Sequence, residues 1–414
     1  MKKIHYAWKI LFVCCCISGA VSGMVIHCRG IFFAPAADGI GVSPTTYATY
    51  LTCGGIVGVL ALPLITKLFR EWPIKRVLLL YLALFCGGTV AHGFAQEMWQ
   101  CYIIGGIQGS VSSFMTIYPI SYIIKAWFTK RRGFAIGFAT MMSGALASIM
   151  NIVIERMINT IGWRLSYISI GSIAFLVGAI PILAFLVRTP VELGMEPYGG
   201  PSQNDMPESA TQKVALDRNL LSVFLPVSFL TIIAYMASGY GQHLSNFAHD
   251  LGLPLSTGAV LVSIYMLGNV GGKLLSGLLN DSIGIYRTAI LTLTSMSVGF
   301  FILLQQTDNL LLLKIAAAFC GQATAFIAVQ IPLLLGDIFH HKNEYDTCLS
   351  MVVMMGTLTS AVNNTLIAVL YNKNNSYALG QTLCSLSLIA CAGIVFCLYL
   401  KTKKSVYAIK KSNT

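Results

Sequence analysis

The sequence predicts an all-α polytopic membrane protein, with twelve transmembrane helices in two six-helix halves. Three observations lead there. Only 10% of the 414 residues are charged and 56% are hydrophobic, whereas soluble domains carry about 25% charged residues. Apolar runs long enough to cross a hydrocarbon core of about 30 Å, which takes about 20 residues of helix, recur twelve times. The one long polar stretch, RTPVELGMEPYGGPSQNDMPESATQKVALDR at 188–218, falls between the sixth and seventh runs.

In order the runs are 8–33, 46–68, 75–95, 98–124, 133–156, 164–187, 219–248, 256–280, 286–305, 309–338, 346–371 and 377–400. Helix is the only reading at these lengths, because lipid satisfies no stray backbone group. No alternating ten-residue pattern points to a barrel. The first run follows lysines, as a signal peptide would, but no small-residue cleavage site comes after it, so it reads as helix 1. The halves are therefore 1–187 and 219–400. Residues 188–218 form a flexible connector by their Pro, Gly, Ser and acidic content. The basic end 401–414, KTKKSVYAIKKSNT, suits anionic inner-leaflet lipids.

The net charge of +12 does not make this a nucleic-acid binder. Assigned to alternating loops, 21 of the 27 Lys and Arg residues fall on one side. That is the positive-inside pattern of a multi-pass protein of the plasma (inner) membrane with both termini in the cytoplasm. All twelve cysteines lie within the apolar runs, where cysteine behaves as a small hydrophobe. No CxxC pair or His/Cys cluster at ligand spacing suggests a disulfide framework or a metal site. Gly105, Gly106 and Gly109 read as a close-packing helix face, not a nucleotide loop, because no strand precedes them. No cofactor is expected.

A 6+6 arrangement is expected of a transporter made from two repeats, and a weak echo supports it. GLLNDSIGIYR (277–287) and TKLFREWPIKR (66–76) follow helices 8 and 2, and align Gly284 with Pro73 and Arg287 with Arg76. In the first of these, Gly277 allows close packing of helix ends. Asp281 is suited to capping the next helix or pairing with Arg287, and Gly284 to a tight turn.

GLLNDSIGIYR resembles the loop motif of the major facilitator superfamily, which in that family helps to hold the cytoplasmic ends together in one of the alternating states. The first-half copy departs from it, with Thr66 and Arg70 in place of Gly and Asp. WFTKRRGFAIGF (127–138), GWRLSY (162–167), TPVELGMEPYG (189–199) and RGIFFAPAADGIGVSP (29–44) are similar to stretches of the branch containing the monocarboxylate transporters and oxalate–formate exchangers. The resemblance implies a transporter that moves a small organic anion by rocking two halves about a central site, working as a monomer.

Lys273 stands near the middle of helix 8, where a charge costs roughly 2.5–3.5 kcal/mol on insertion scales. Both resembled families carry a cation at this place, and there it pairs with the substrate carboxylate. Snorkelling is the competing account, but the helix end lies roughly 10 Å away at 1.5 Å per residue, beyond the reach of the side chain. Gly271 and Gly272 are expected to leave open space beside it. Arg29, in the last turn of helix 1, is either a second anion partner or a snorkelling residue, and Lys314 reads as the latter. The proton-coupled relatives carry an Asp four residues before the helix 8 cation, where this chain has Asn269. Exchange or uniport is therefore expected over proton symport. If protons are coupled, His27 and His243 are read as the only intramembrane groups titrating near neutrality.

Gln108, Tyr118, Asn151, Tyr240, Gln242, Gln322, Asn363 and Asn364 are polar groups available to shape a pocket, although helices bury such groups against one another as routinely. The alternative within transport is efflux of drugs or other organic compounds, but helix 5 lacks the proline usual in such pumps. An enzyme would need a nucleophile–base pair, a metal cluster or paired acids, and none is present. A transporter-fold sensor is a remote further alternative.

Overall fold

The computed structural model describes residues 5–200, 218–339, 342–374 and 376–412, and they are helical apart from short turns and an isolated bridge. They fall into two compact units, Met1–Ser202 and Gln203–Thr414. Most of the predicted connector, residues 201–217, lies outside the described residues.

The first unit holds six helices. The first, α1, is composite: Ala7–Ser18, a π-helical stretch Gly19–Ile26, a break at His27 and Cys28, then Arg29–Ile40. Next come α2 (Pro44–Glu71), α3 (Ile74–His92) and α4 (Met98–Trp127). The span Arg132–Phe185 is two helices, α5 (132–161) and α6 (163–185), separated by Gly162 alone at φ 80°, ψ 162°. Its 54 residues would extend about 81 Å as one rod, well over twice the hydrocarbon thickness.

The second unit repeats the plan with α7 (Arg218–Asp250), α8 (Leu255–Ile283), α9 (Ile285–Leu304), a composite α10, α11 (Lys342–Asn374) and α12 (Ala378–Ser412). The stretches of α10 are Leu310–Ala325, a π-helical Phe326–Gln330 and Ile331–Ile338. Helix α12 continues past residue 400 into the predicted tail.

Local chemistry explains several boundaries. Ser43 caps α2 by accepting from Thr46 N at 3.0 Å, with Pro44 in the first turn where its missing N–H costs nothing. Gln100 reaches back from α4 to the N–H groups of Gln96 and Glu97 at 2.7 and 3.2 Å, half of a capping box. The α2–α3 turn uses the extended Trp72 and Pro73. The equivalent α8–α9 turn is the single residue Gly284, at φ 91°, ψ 157°, a region open essentially to glycine alone.

The units use the same helix pairs in the same order: α1 with α5, α2 with α4 and α3 with α6, then α7 with α11, α8 with α10 and α9 with α12. Small residues close the first two pairs of each unit. Gly19 and Gly23 of α1 face Leu146 and Ser143 of α5, and Gly54 of α2 meets Gly105 and Gly109 of α4. Gly268 packs on Ala318 and Gly321 on Tyr265 across α8 and α10, while Gly239 and Gly356 of α7 and α11 receive Asn363 and Tyr235. In the third pair of the second unit, Ser297 of α9 donates to Ser385 O of α12 at 3.0 Å.

Polarity is arranged inside-out. Leu60, Leu64, Ile103, Leu267 and Leu311 are exposed, while Gln108, Asn269, Lys273, Gln330 and Gln381 are buried. Nine stretches among the described residues are long and apolar enough to cross a membrane, with Arg132–Phe185 counted once. The remaining two helices, α4 and α11, each contain residues whose side chains lie outside the described ones.

The opening of the connector is not free chain. Residues 188–200 fold back on the first unit, with a short 3-10 turn at Pro190–Leu193. Tyr198 N donates to Trp127 O at 2.9 Å, and Tyr198 O receives Thr129 N and Lys130 N at 3.1 and 3.0 Å. The Tyr198 ring packs edge-on to Trp8 and His5 and lies against Phe128. Proline, glycine and acidic content suggested flexibility there, but these aromatic and backbone contacts fix it.

Candidate functional site

Each unit carries its own polar interior. In the first, α3 presents Phe85, Thr89 and His92 on one face, at the i, i+4, i+7 spacing of a helix. The Arg29 guanidinium, half-buried, sits over the Phe85 ring with Cζ 5.5 Å from its centroid. Gln108 of α4 braces this face, its Nε2 donating to Phe85 O at 2.9 Å and Thr89 Oγ1 at 2.8 Å.

Three tyrosines surround His92. Tyr47 Oη lies 3.4 Å from His92 Nδ1 and 3.2 Å from Tyr167 Oη. Tyr50 lies with its ring centroid 4.6 Å from that of His92, and Tyr167 stacks on His92 at 5.4 Å. Phe32 stacks on Tyr167 at 3.8 Å. His92 is 1% exposed and shares a side-chain hydrogen bond with Gln108. Arg29, Tyr50, Thr89, His92, Gln108 and Tyr167 line a cavity of about 10 Å³, close to the room one water molecule needs.

The second unit places Lys273 one turn beyond Asn269, which is the midpoint of α8. Lys273 is 5% exposed and Asn269 3%. The helix runs ten residues further, to Ile283, roughly 15 Å, so the ammonium is held inside the protein. Asn269 Oδ1 has no hydrogen-bond partner among the described residues, nor has either amide atom of the fully buried Gln330 in the α10 π-helical stretch, which packs on α8. Buried amides of this kind are expected to be satisfied by water or ligand. Gly271 has open space around it, whereas Gly272 does not: a Cβ there would meet Ala325 and Gln322 of α10. Only one of the two glycines expected to leave room beside Lys273 does so.

Of the residues singled out in the sequence, Arg29 and Gln108 meet at the first cavity, and Lys273 and Asn269 share α8. Tyr118, also on α4, is fully buried among Phe69, Phe114 and Tyr122, ten residues beyond Gln108. Tyr240 faces α9 and α12, with its ring edge-on to Phe300 at 5.2 Å and its hydroxyl against Gly380. Gln322 accepts from Ser295 Oγ at 2.9 Å, and Asn363 Nδ2 donates to Tyr235 O at 3.0 Å. The side chains of Gln242 and Asn364 lie outside the described residues. In the loop motif Gly277 is buried, Asp281 and Arg287 are exposed, and Gly284 itself is the N-cap of α9, with no side chain capping it.

The histidines need correction. His27 is exposed at the break in α1, and His243 lies half-buried with its ring 5.9 Å from that of Tyr377. His92, at the end of the third apolar run, is the buried histidine among the described residues. Its signal was local and available: Phe85, Thr89 and His92 share one helix face.

The Major Facilitator Superfamily model matches residues 11–304 and again 215–413, covering both units. The chain belongs to the Major Facilitator Superfamily. Its helices make it a multi-pass membrane protein of that superfamily. Among curated proteins, it is 22% identical to the Saccharomyces cerevisiae "Uncharacterized transporter ESBP6" over 361 residues, 84% of this chain and 52% of that protein. It is 26% identical to "MFS transporter asaE" of Aspergillus flavus over 289 residues, 67% of this chain and 60% of the relative. With human "Monocarboxylate transporter 11" it shares 24% over 276 residues, 67% of this chain and 56% of the other. The chain thus spans between half and two thirds of these relatives.

Proposed function

We propose that this facilitator moves a small organic anion, a monocarboxylate, by alternating access as an exchanger or uniporter. The observation that carries this reading is Lys273, a cation 5% exposed about one helical turn from the centre of α8. Holding a charge there is costly, and an anionic cargo offsets that cost whenever it binds. The likeness to a protein named monocarboxylate transporter supports the same class. Asn269, in place of an acid one turn before the lysine, holds no proton, which favours exchange or facilitated passage. The distribution of basic residues supports a plasma-membrane orientation with both termini cytoplasmic, and the transporter is proposed to work as a monomer among membrane lipids.

Counterflow in proteoliposomes tests the reading. Vesicles loaded with formate, oxalate, lactate, pyruvate, acetate or larger branched acids are expected to take up the matching labelled acid. Uptake should require an internal anion or follow the gradient of the acid itself. If none of these acids moves, the reading fails and efflux of other organic compounds takes its place.

A further inference from the structure

One face of α8 is polar from the middle of the helix to its last turn. Asn269, Lys273, Ser276 and Asn280 follow one another at i, i+4, i+7 and i+11, and all four are buried, so they form a single inward stripe. Leu267, Leu275 and Leu278 hold the exposed side. Helix α10 runs alongside in the same direction, with Gly268 against Ala318 and Gly272 against Ala325. Five residues on from Ala325, Gln330 therefore stands level with Ser276, about one turn past Lys273. Two primary amides of this row have no hydrogen bond at all among the described residues. Asn280, 6% exposed, lacks a partner at both Nδ2 and Oδ1, and the fully buried Gln330 lacks one at both Nε2 and Oε1. Leaving such groups dry is costly, so native proteins pair them with water or with a ligand.

We propose that Gln330 and Asn280 form a subsite for the tail of the cargo, selecting acids whose far end is an uncharged group that both donates and accepts, a carboxamide above all. The inference rests on the transport reading, which puts the carboxylate at Lys273. With the carboxylate there, the rest of a short acid lies along the row. Each side-chain amide offers an N–H and a carbonyl, and a second carboxamide satisfies both at once. A ketone accepts without donating, so it leaves the carbonyls of Gln330 and Asn280 unpaired. An alkyl end pairs with neither group. A second carboxylate also accepts only, and it carries a charge into a stretch of the row whose members are neutral. Spacing sets the length. The level of Gln330 lies roughly 4.5 Å past Lys273 and that of Asn280 roughly 10 Å past it, at 1.5 Å per residue, which suits an acid with about two to four methylenes between its ends.

Isosteric acids test this. Succinamate and levulinate differ only in an amino against a methyl group on the same carbonyl, and succinate puts a charge at that end. Glutaramate, 5-oxohexanoate and glutarate repeat the series one methylene longer. Purified protein in detergent is dialysed to equilibrium against each labelled acid near neutral pH. The amide acids are expected to bind about tenfold tighter than the matching ketones, as one or two added hydrogen bonds allow, and tighter than the dicarboxylates. Gln330→Leu and Asn280→Leu should each shrink that preference. Amide and ketone bound equally by the wild type, or a preference that survives both substitutions, overturns the tail subsite and leaves the anion reading standing; the buried amides then hold water only. A dicarboxylate bound as tightly as its amide overturns it too. The wild-type comparison needs no variant, so a misfolded Gln330→Leu does not shield the proposal. No acid of any series bound overturns the anion reading, and the subsite falls with it.

Discussion

Gly109 of α4 lies so close to Gly54 of α2 that the place a Cβ would take at position 109 is already filled by the Gly54 backbone. Two helices that touch main chain to main chain gain dispersion contacts along their length. The closest equivalent in the second unit is Gly268 of α8 against the Ala318 backbone of α10.

Gly109→Val should therefore separate α2 from α4. Overpacking of a fitted interface costs typically 1–3 kcal/mol, and here the obstacle is backbone, which cannot rotate away. The expected result is a lowered melting temperature in detergent and a loss of monodisperse protein. Gly106→Ala, whose Cβ would meet only Val57 at 3.5 Å, should leave both unchanged.

Gly284→Ala should destabilise the second unit by about 1–3 kcal/mol, because φ 91° with ψ 157° is a conformation that a Cβ forbids. Gly271→Ala is the control: that residue is helical with no atom near its Cβ position, so it should be neutral or slightly stabilising. Thermal unfolding of the two variants side by side measures the difference.

Lys273→Ala is expected to weaken carboxylate affinity by about 10–100-fold, the equivalent of one lost charge-assisted hydrogen bond of 1.5–3 kcal/mol. Lys273→Arg keeps the charge and should retain measurable counterflow. Equal activity in Lys273→Ala and wild type, at matched protein levels, would remove the lysine from the binding site.

Tyr198→Ala removes the ring that packs against His5, Trp8 and Phe128. The 188–200 segment should then loosen from the first unit. Hydrogen exchange at Thr129 and Lys130, whose amides donate to Tyr198 O, is expected to quicken by tenfold or more, since about 1.4 kcal/mol of lost docking suffices.

The helix plan was legible in the sequence because the bilayer imposes it: a run of apolar residues has one folded solution. Gly284 could be anticipated as a turn from its place in GLLNDSIGIYR, and Lys273 from its cost. The cavity of the first unit could not be read in the same way. His92, Thr89 and Phe85 form a local pattern, but Tyr47, Tyr50 and Tyr167 come from other helices, and nothing in their own neighbourhoods marks them as partners. The π-helical stretches at Gly19–Ile26 and Phe326–Gln330 were equally hidden, since one extra residue per turn leaves an apolar run looking the same. The docked opening of the connector was missed for a third reason. Its composition is that of a loop, and its order comes from rings contributed by distant segments.

The single-residue turn at Gly284 also bears on how the protein is made. Helix α8 is the least apolar of the candidate spans and carries a lysine near its middle, so alone it is a poor substrate for the insertion machinery. With one residue between them, α8 and the more apolar α9 leave the ribosome as a hairpin with no slack. The second helix can then draw the first into the bilayer in one step. A flexible linker inserted at Gly284 would uncouple the two, and the chain with its lysine would be prone to stall outside the membrane before any question of transport arose.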